Sequence, residues 1–546
     1  MSEGGRGANG DLTGEAGTGG TGAPRPTLAR SAAVMAAGTL LSRVTGFGRL
    51  VALAYAMGFT RLTDSYDLAN VTPNIIYELI LGGILSATLL PVFVDLLATG
   101  DEDEEESWRA VSAVVTTAGA LVVAVTGLFV VVAPWLVRLY TIGNTDPSLN
   151  AQRDVATSLL RMFAPQVAFY GMVALTTAVL HARRRFAAVM FAPVLNNVVV
   201  IGVLLALPHV VDEVSLAAVR DDAGARLLLG LGTTAGVAAM ALALLPSLRR
   251  SGARLRPVWE PRHPAVVRIV RLSGWTFGYV AANQVALMVV LILANGDAGD
   301  VAAYRAAMIF FLLPHGVFAV SVATALLPDL AERWALGDPA GFGRQAARGL
   351  RTIAAIAVPA AVGLACLARP LVGVALEHGA LGSGSASRTA DVLVMLAIGL
   401  PGFSTYYFLM RCYQAMQDTR SMFVLYLGEN AVNVALALAL YPVLGVHGLG
   451  LAYAAAYTVG TGLALARLRR DTGTVDVAGT LRTWLRVGVA SAAMAGVVLA
   501  VAAAVGPELL RLAVAVPAGV TVYLVAARRL GVQELSGLVR IRRGVA

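Results

Sequence analysis

The sequence predicts an all-α polytopic membrane protein of about fourteen transmembrane helices, and three observations predict it. The residues are 57% hydrophobic and only 14% charged, against roughly 25% charged in soluble domains, and the mean hydropathy is +0.73. Apolar stretches of the ~20 residues needed to cross a hydrocarbon core recur from about position 31 to position 530. Arginines gather in alternate short loops between those stretches. A soluble enzyme is excluded. The formal net charge of +9 reads as topology and not as affinity for a polyanion, so no nucleic-acid partner is expected.

Residues 1–30 are Gly-rich and polar, with too little apolar surface to offset ordering entropy, and are expected to form a disordered cytoplasmic tail. They hold no signal-peptide hydrophobic region. Apolar runs bounded by charge, Pro or Gly place helices near 31–57, 68–98, 109–140, 155–182, 186–208, 225–247, 264–294, 300–332, 348–375, 388–416, 421–443, 447–467, 483–505 and 508–530. With the N-terminus inside, the cytoplasmic loops carry Arg183-Arg184-Arg185, the Arg249, Arg250, Arg254 and Arg256 cluster, Arg333 to Arg351, Arg420, and Arg467, Arg469 and Arg470. The opposite loops hold isolated arginines at most, as the positive-inside rule demands. An even helix count returns the tail 531–546, with Arg540, Arg542 and Arg543, to the cytoplasm. The acidic run Asp101 to Glu106 falls in a cytoplasmic loop and is read as a solvated loop.

An internal repeat organises the helices. Ala164-Pro165-Gln166-Val167-Ala168-Phe169-Tyr170, continuing to Asn197-Val198, aligns without gaps on Leu400-Pro401-Gly402-Phe403-Ser404-Thr405-Tyr406, continuing to Asn433-Val434. Ala87-Thr88-Leu89-Leu90-Pro91 echoes Thr324-Ala325-Leu326-Leu327-Pro328. Six helices separate the copies, so both run the same way across the bilayer. Such a parallel repeat implies two six-helix lobes about an axis along the membrane normal, with a substrate cavity between them. The N-terminal lobe is expected over 31–247 and the C-terminal lobe over 264–467, with two further helices over 483–530. This is transporter architecture.

Ionisable groups inside membrane helices cost several kcal/mol unless they face protein or water, so each is a functional candidate. Arg43 and Arg49 lie in the first helix, six residues apart, which in an unbroken helix puts them on different faces; Gly46 and Gly48 offer a local break. Two arginines in an apolar cavity favour a diphosphate, because the planar guanidinium donates paired hydrogen bonds and stays charged; Arg49 could instead reach an interface. Asp64 and Asp67 follow the first helix, and one of them either caps the second helix or forms a gate with arginine. Glu78 lies inside the second helix, where it could couple transport to protons or cations or pair structurally with Arg43 or Arg305. Arg305 begins the eighth helix, where an interface anchor is the plain alternative.

No catalytic constellation stands out. Cys366 and Cys412 both lie in apolar segments and read as small buried hydrophobes. The six histidines form no ligand-spaced pair. There is no lysine and no phosphate loop, so the chain is read as no enzyme, with no cofactor and no ATP hydrolysis. Ion gradients or the membrane potential remain as the energy source.

The stretch Gly38 to Arg49, then Thr63-Asp64, Pro73-Asn74 and Leu85 to Phe93, resembles the N-terminal signature of the MurJ/MviN lipid II flippases. Ala192-Pro193-Val194-Leu195-Asn196-Asn197, Leu376-Glu377-His378-Gly379-Ala380 and Gln417-Asp418-Thr419-Arg420 look like that family's later landmarks, and the resemblance covers about 31–530. It implies a MOP-superfamily fold with two lobes alternating access to a cationic cavity. It also implies lipid II as substrate: undecaprenyl diphosphate bearing the disaccharide-pentapeptide of peptidoglycan. Functional roles for arginines of the first helix and the following aspartate carry over to Arg43, Arg49 and Asp64.

The chain departs from the family pattern twice. Tyr77 stands where an arginine usually follows the Pro-Asn landmark, and Ile309 stands where a cavity arginine is usual. Arg305 lies one turn from Ile309 on the same face and is the expected substitute. The expected function is a cell-membrane flippase for cell-wall synthesis, with lipid II or another undecaprenyl-diphosphate-linked substrate, membrane lipids and cell-wall synthesis proteins as partners. The alternatives are a MOP-type exporter of another polyprenyl-linked glycan or amphiphile, and a transport-dead scaffold paralogue.

Overall fold

The computed structural model describes residues 28–79, 89–98 and 104–534. Most of the tail 1–30, Leu85 to Thr88, Asp101 to Asp103 and the arginines of the C-terminal tail lie outside the described residues. Those that are described form helices joined by turns, with no strand among them. In order these are α1 (Leu28–Met57), α2 (Arg61–Tyr77), α3 (Leu90–Ala98), α4 (Glu104–Tyr140), α5 (Leu149–Phe163), α6 (Pro165–Ala182), α7 (Ala187–Ala206), α8 (Leu216–Asp221), α9 (Ala223–Arg250), α10 (Pro264–Ala294) and α11 (Asp300–Pro314). There follow α12 (Val320–Ala335), α13 (Pro339–Leu376), α14 (Ser383–Ile398), α15 (Leu400–Ala415), α16 (Thr419–Leu444), α17 (Val446–Thr472), α18 (Val477–Ala504) and α19 (Glu508–Arg529).

Among the described residues, eleven helical stretches are long and apolar enough to cross a membrane, and the bent pair α14 and α15 makes a twelfth. Helix α1, and α2 with α3, occupy the places of the first two predicted helices. The protein is thus a multi-pass membrane protein, and the predicted all-α class stands. Its outer surface is apolar, as lipid contact requires: Leu121, Val123, Leu128 and Val131 on α4 and Val514, Val516 and Val520 on α19 are exposed.

Local chemistry explains where the helices begin. Asp222, Asp338, Asp418 and Asp476 each accept a backbone N–H from the first turn of α9, α13, α16 and α18, the ordinary work of an N-cap. Pro165 and Pro401 open α6 and α15, where their missing N–H costs nothing. These two prolines are partners in the repeat, and both sit where a span breaks in two; the second break bends by 50°.

Helix α1 packs along α7, α7 on α9, and α9 on α5 and α6, while α2 lies on α5 and α4 on α5 and α6. In the second half α10 packs on α16, α16 on α17, α14 on α13, α11 and α17, and α15 on α17. Helices α18 and α19 pack on each other and on α13. Across the seam between the halves, α4 meets α10, α2 meets α11, and α1 meets α13.

Three expectations need correction. Helix α1 runs unbroken through Gly46 and Gly48, so these glycines do not bring Arg43 and Arg49 to one face. The second helix begins at Arg61 and not near 68. Asp64 and Asp67 therefore belong to its first turns and do not precede it.

Candidate substrate cavity and its latch

The turn between α1 and α2 is built for close approach. Gly58 adopts φ +59°, and a Cβ there would come 2.7 Å from the carbonyl oxygen of Ala380. The Ala380 N–H donates to the Tyr55 carbonyl at 2.9 Å, which ties this turn to the turn before α14.

Beyond it, the first turn of α2 grips the connection between α10 and α11. Gly299 N–H donates to Asp64 Oδ2 at 2.6 Å and Ala302 N–H to Oδ1 at 3.2 Å. Asp64 therefore caps α11 from across the seam and does not cap its own helix, whose cap position is Thr60. A negative charge at a helix N-terminus is favourable both by hydrogen bonding and by the helix dipole. Arg61 donates from Nη1 to the Asn295 carbonyl at 2.9 Å, and from Nη2 to Asp146 Oδ2 at 2.7 Å and the Gly296 carbonyl at 3.2 Å. Asn295 is fully buried because Asn144 donates to its carbonyl, Gln152 to its side-chain oxygen, and its own amide donates to the Tyr140 carbonyl. We call this set of contacts the latch.

Gly299 has φ +84°, and a Cβ would overlap the Phe59 carbonyl oxygen; Gly299→Ala is expected to loosen the seam, read as faster hydrogen exchange at the α11 N-terminus, and unchanged exchange would refute it. Asp146 lies in the α4 to α5 turn, and hydrogen bonds from the Ser148 hydroxyl, the Ser148 N–H and Arg61 hold its carboxyl down at about 2. Its folded value lies below its unfolded one, so its contribution is present above about pH 4 and fades as pH falls toward 2. In an Asp64→Asn background, the distance between spin labels on the α4 to α5 turn and on α2 should accordingly stay constant from pH 8 to pH 5, and a change within that range would be inconsistent with Asp146 as described.

One turn deeper along α2 lies the cavity. It measures about 380 Å³ and is lined by Val71 of α2, by Asn283, Gln284 and Leu287 of α10, by Tyr304, Arg305, Met308 and Ile309 of α11, and by Asn433 and Tyr457 of α16 and α17. Arg305 Nε stands 3.6 Å from Asp67 Oδ1. Its Nη1 is buried with no hydrogen-bond partner among the described residues. A guanidinium with an uncommitted edge in a cavity is an anion site in waiting.

The sequence-predicted residues divide. Arg305 reaches the cavity, in the second turn of α11 and not at its start. Arg49 is half-buried, and its charge acts on Asp67 and Tyr170. The Arg43 guanidinium rests against Gly316, the segment that follows α11. Asp64 belongs to the latch. Glu78 is exposed and pairs with neither Arg43 nor Arg305, since Arg305 takes Asp67 instead; the proposed structural ion pair is therefore not formed. Glu78 acts on Tyr279 of α10. The Tyr77 ring packs at 4.7 Å, tilted by 45°, against that of Tyr170, its repeat-bearing neighbour on α6.

Sequence reasoning missed Arg61, Asp146 and Asn295, because their roles depend on contacts across the seam. It also missed Glu429 in α16, although an intramembrane carboxylate is itself a signal. Glu429 is 1% exposed and lies against Gly460 and near Tyr406. Both its oxygens, and the Tyr406 hydroxyl, lack hydrogen-bond partners among the described residues. A buried carboxyl without partners lowers stability by about 1–3 kcal/mol. Glu429→Met is expected to raise the melting temperature of the purified protein; a lowered one would mean that the carboxyl has a stabilising partner.

A bundle of crossing helices, latched at one end of the seam and holding an arginine-bearing cavity beneath the latch, is a membrane transporter and not an enzyme. The chain belongs to the MurJ family: the family model described as "Lipid II flippase MurJ" matches residues 53–513. A probable lipid II flippase MurJ of Vibrio cholerae serotype O1 is 27% identical over 401 residues, covering 72% of this chain and 74% of its own. The fold is similar to that of a lipid II flippase MurJ solved in an inward closed conformation, with a TM-score of 0.75 at 21% identity, covering 91% of this chain and 98% of that one. It is also similar to an inward-facing multidrug resistance MATE family transporter of the MOP superfamily, with a TM-score of 0.63 at 11% identity, covering 81% of this chain and 98% of that one.

Proposed function

We propose that this chain translocates lipid II from the cytoplasmic to the outer leaflet of the cell membrane, for cell-wall synthesis. The observation that carries this reading is the uncommitted Nη1 edge of Arg305 in the cavity, in a chain of the lipid II flippase family. A diphosphate supplies paired oxygens for that edge. Arg49 and Arg43, on the helix flanking the same seam, add positive potential along the route.

The N- and C-termini lie in the cytoplasm, as the arginine-rich loops require. The latch is then on the outer side. Lobes 31–247 and 264–467 rock about the cavity, with 483–530 riding on the second lobe, and opening outward requires the latch to part. An inside-negative potential favours outward movement of the anionic headgroup by about 2.3 kcal/mol per charge per 100 mV. Glu78 and Glu429 are the carboxylates available for coupling to a cation. Cell-wall synthesis proteins would meet the chain at its cytoplasmic loops.

The test is complementation of a conditionally flippase-depleted bacterium. Wild type should restore lipid II export and growth, and Arg43→Ala should not. Failure of the wild type would favour the second reading, export of another polyprenyl-linked glycan. Tyr77 and Ile309 at positions where the family resemblance leads one to expect arginine support that second reading, since Ile309 lines the cavity.

A further inference from the structure

The central cavity carries more polar chemistry than Arg305 uses. Its α10 and α16 walls present a row of four carboxamides, Asn283, Gln284, Asn430 and Asn433, and among the described residues Arg305 is the one charged side chain that lines the cavity. The row is set apart from that arginine. Counted along α10 and α11 at about 1.5 Å per residue, Asn283 lies roughly 9 Å farther from the latch than Arg305 does.

Asn430 orders the row. Its Nδ2 donates to Asn283 Oδ1 at 2.6 Å and to the Tyr426 carbonyl at 2.8 Å. The first of these bonds occupies the Asn283 oxygen and leaves its amide donors without an acceptor among the described residues. Asn433, one turn along α16 from Asn430, is 5% exposed, and its Oδ1 is buried with no hydrogen-bond partner among the described residues. A buried acceptor left unpaired costs about 1–3 kcal/mol, so this oxygen calls for a donor from within the cavity. One turn from Asn283 and Asn430, on the side away from the latch, the rings of Tyr279 and Tyr426 stack with centroids 5.0 Å apart and planes 19° from parallel. Helical spacing of four residues puts each tyrosine on the same face as the asparagine that follows it.

We propose that this row is a glycan subsite for the N-acetylated sugar bonded directly to the diphosphate, with Asn283 donating to the acetamido carbonyl and the acetamido N–H donating to Asn433 Oδ1. The inference rests on the reading of Arg305 as the diphosphate site. An acetamido group carries one acceptor and one N–H donor, the complement of the free Asn283 donors and the orphaned Asn433 acceptor. A neutral sugar suits a wall of neutral amides, and the span from a diphosphate to the substituents of its first sugar is of the order of the separation between Arg305 and the row. The tyrosine pair extends the wall with an amphipathic aromatic surface, against which the C–H face of a sugar packs.

The experiment is native mass spectrometry of the full chain in detergent, titrated with three peptide-free lipids: undecaprenyl diphosphate, undecaprenyl diphospho-glucose and undecaprenyl diphospho-N-acetylglucosamine. Wild type should retain the N-acetylglucosamine lipid roughly tenfold more strongly than either of the others. Asn433→Leu breaks no hydrogen bond of the Asn433 oxygen, so the variant should fold, and it should lose the preference for the acetamido sugar over glucose. Asn283→Leu should lose it too. Preference for the N-acetylglucosamine lipid that survives in both variants would overturn the proposal. Wild type that retains undecaprenyl diphosphate but does not prefer the N-acetylglucosamine lipid to both others would sink the glycan subsite and leave the diphosphate site standing. Retention of none of the three lipids would sink both.

Discussion

Asp64→Ala is expected to open the outer end of the seam and abolish transport. The carboxylate is fully buried and accepts two N–H groups of the opposite half. Its removal leaves those donors unpaired and strips Arg61 of a carboxylate 4.0 Å away. Breaking a buried charged contact of this kind costs about 3–5 kcal/mol. That cost falls on the latched state alone, so the closed-to-open ratio should drop by roughly two to four orders of magnitude. Spin labels on α2 and on the α10 to α11 connection would read this as a longer distance, with Cys366 and Cys412 first replaced. Asp64→Asn keeps one acceptor and should give an intermediate distribution. Distances identical to wild type in Asp64→Ala would show that the latch does not hold the seam.

Arg305→Ala should remove diphosphate binding. Hydrogen bonds to charged groups are worth about 1.5–3 kcal/mol each, and a forked pair at the cavity wall corresponds to a loss of at least about a hundredfold in affinity. Undecaprenyl diphosphate is the appropriate probe, since it carries the diphosphate without the glycan. Arg305→Lys retains the charge but not the fork and should recover only part of the binding. Because Arg305 also neutralises Asp67, the alanine variant should be repeated with Asp67→Asn. Binding that survives in both backgrounds would place the anion elsewhere.

Much of the architecture was legible because lipid imposes a simple rule on sequence. A span must satisfy every backbone group internally, so helices of a fixed minimum length are the only solution for an apolar chain without closed strands. The self-similarity around Pro165 and Pro401 carried further information, and both prolines do open the second half of a broken span. The repeat does not extend to chemistry: Asn197 donates to the Ser42 carbonyl and to Thr45, joining α7 to α1, whereas the Asn433 side-chain oxygen faces the cavity without a partner.

The candidate site was legible only in part. Arg305 could be placed in the cavity because helical spacing relates it to Ile309. The second-helix boundary was misplaced because Arg61, Thr63, Asp64, Ser65 and Asp67 make the first turns of α2 polar, and polarity reads as loop. Those residues are polar because they are buried against protein and not lipid, with Arg61, Asp64 and Asp67 all bonded across the seam. Gly46 and Gly48 misled in the opposite direction. Glycine weakens a helix by about 1 kcal/mol, too little to break α1 while it packs along α7.

The sequence by itself determined that this chain is a many-spanned all-α membrane protein, with a repeated arrangement of helices and arginines in its membrane segments. Those properties depend on local hydropathy and on spacing along one chain. Tertiary structure alone decided the partners: that Asp64 caps α11, that Arg61 holds Asn295, that Arg305 takes Asp67 and leaves Glu78 unpaired by either arginine. A charged side chain inside a membrane protein must find its counter-group in three dimensions. The spacing from Asp64 to Gly299 carries no local signal of that pairing.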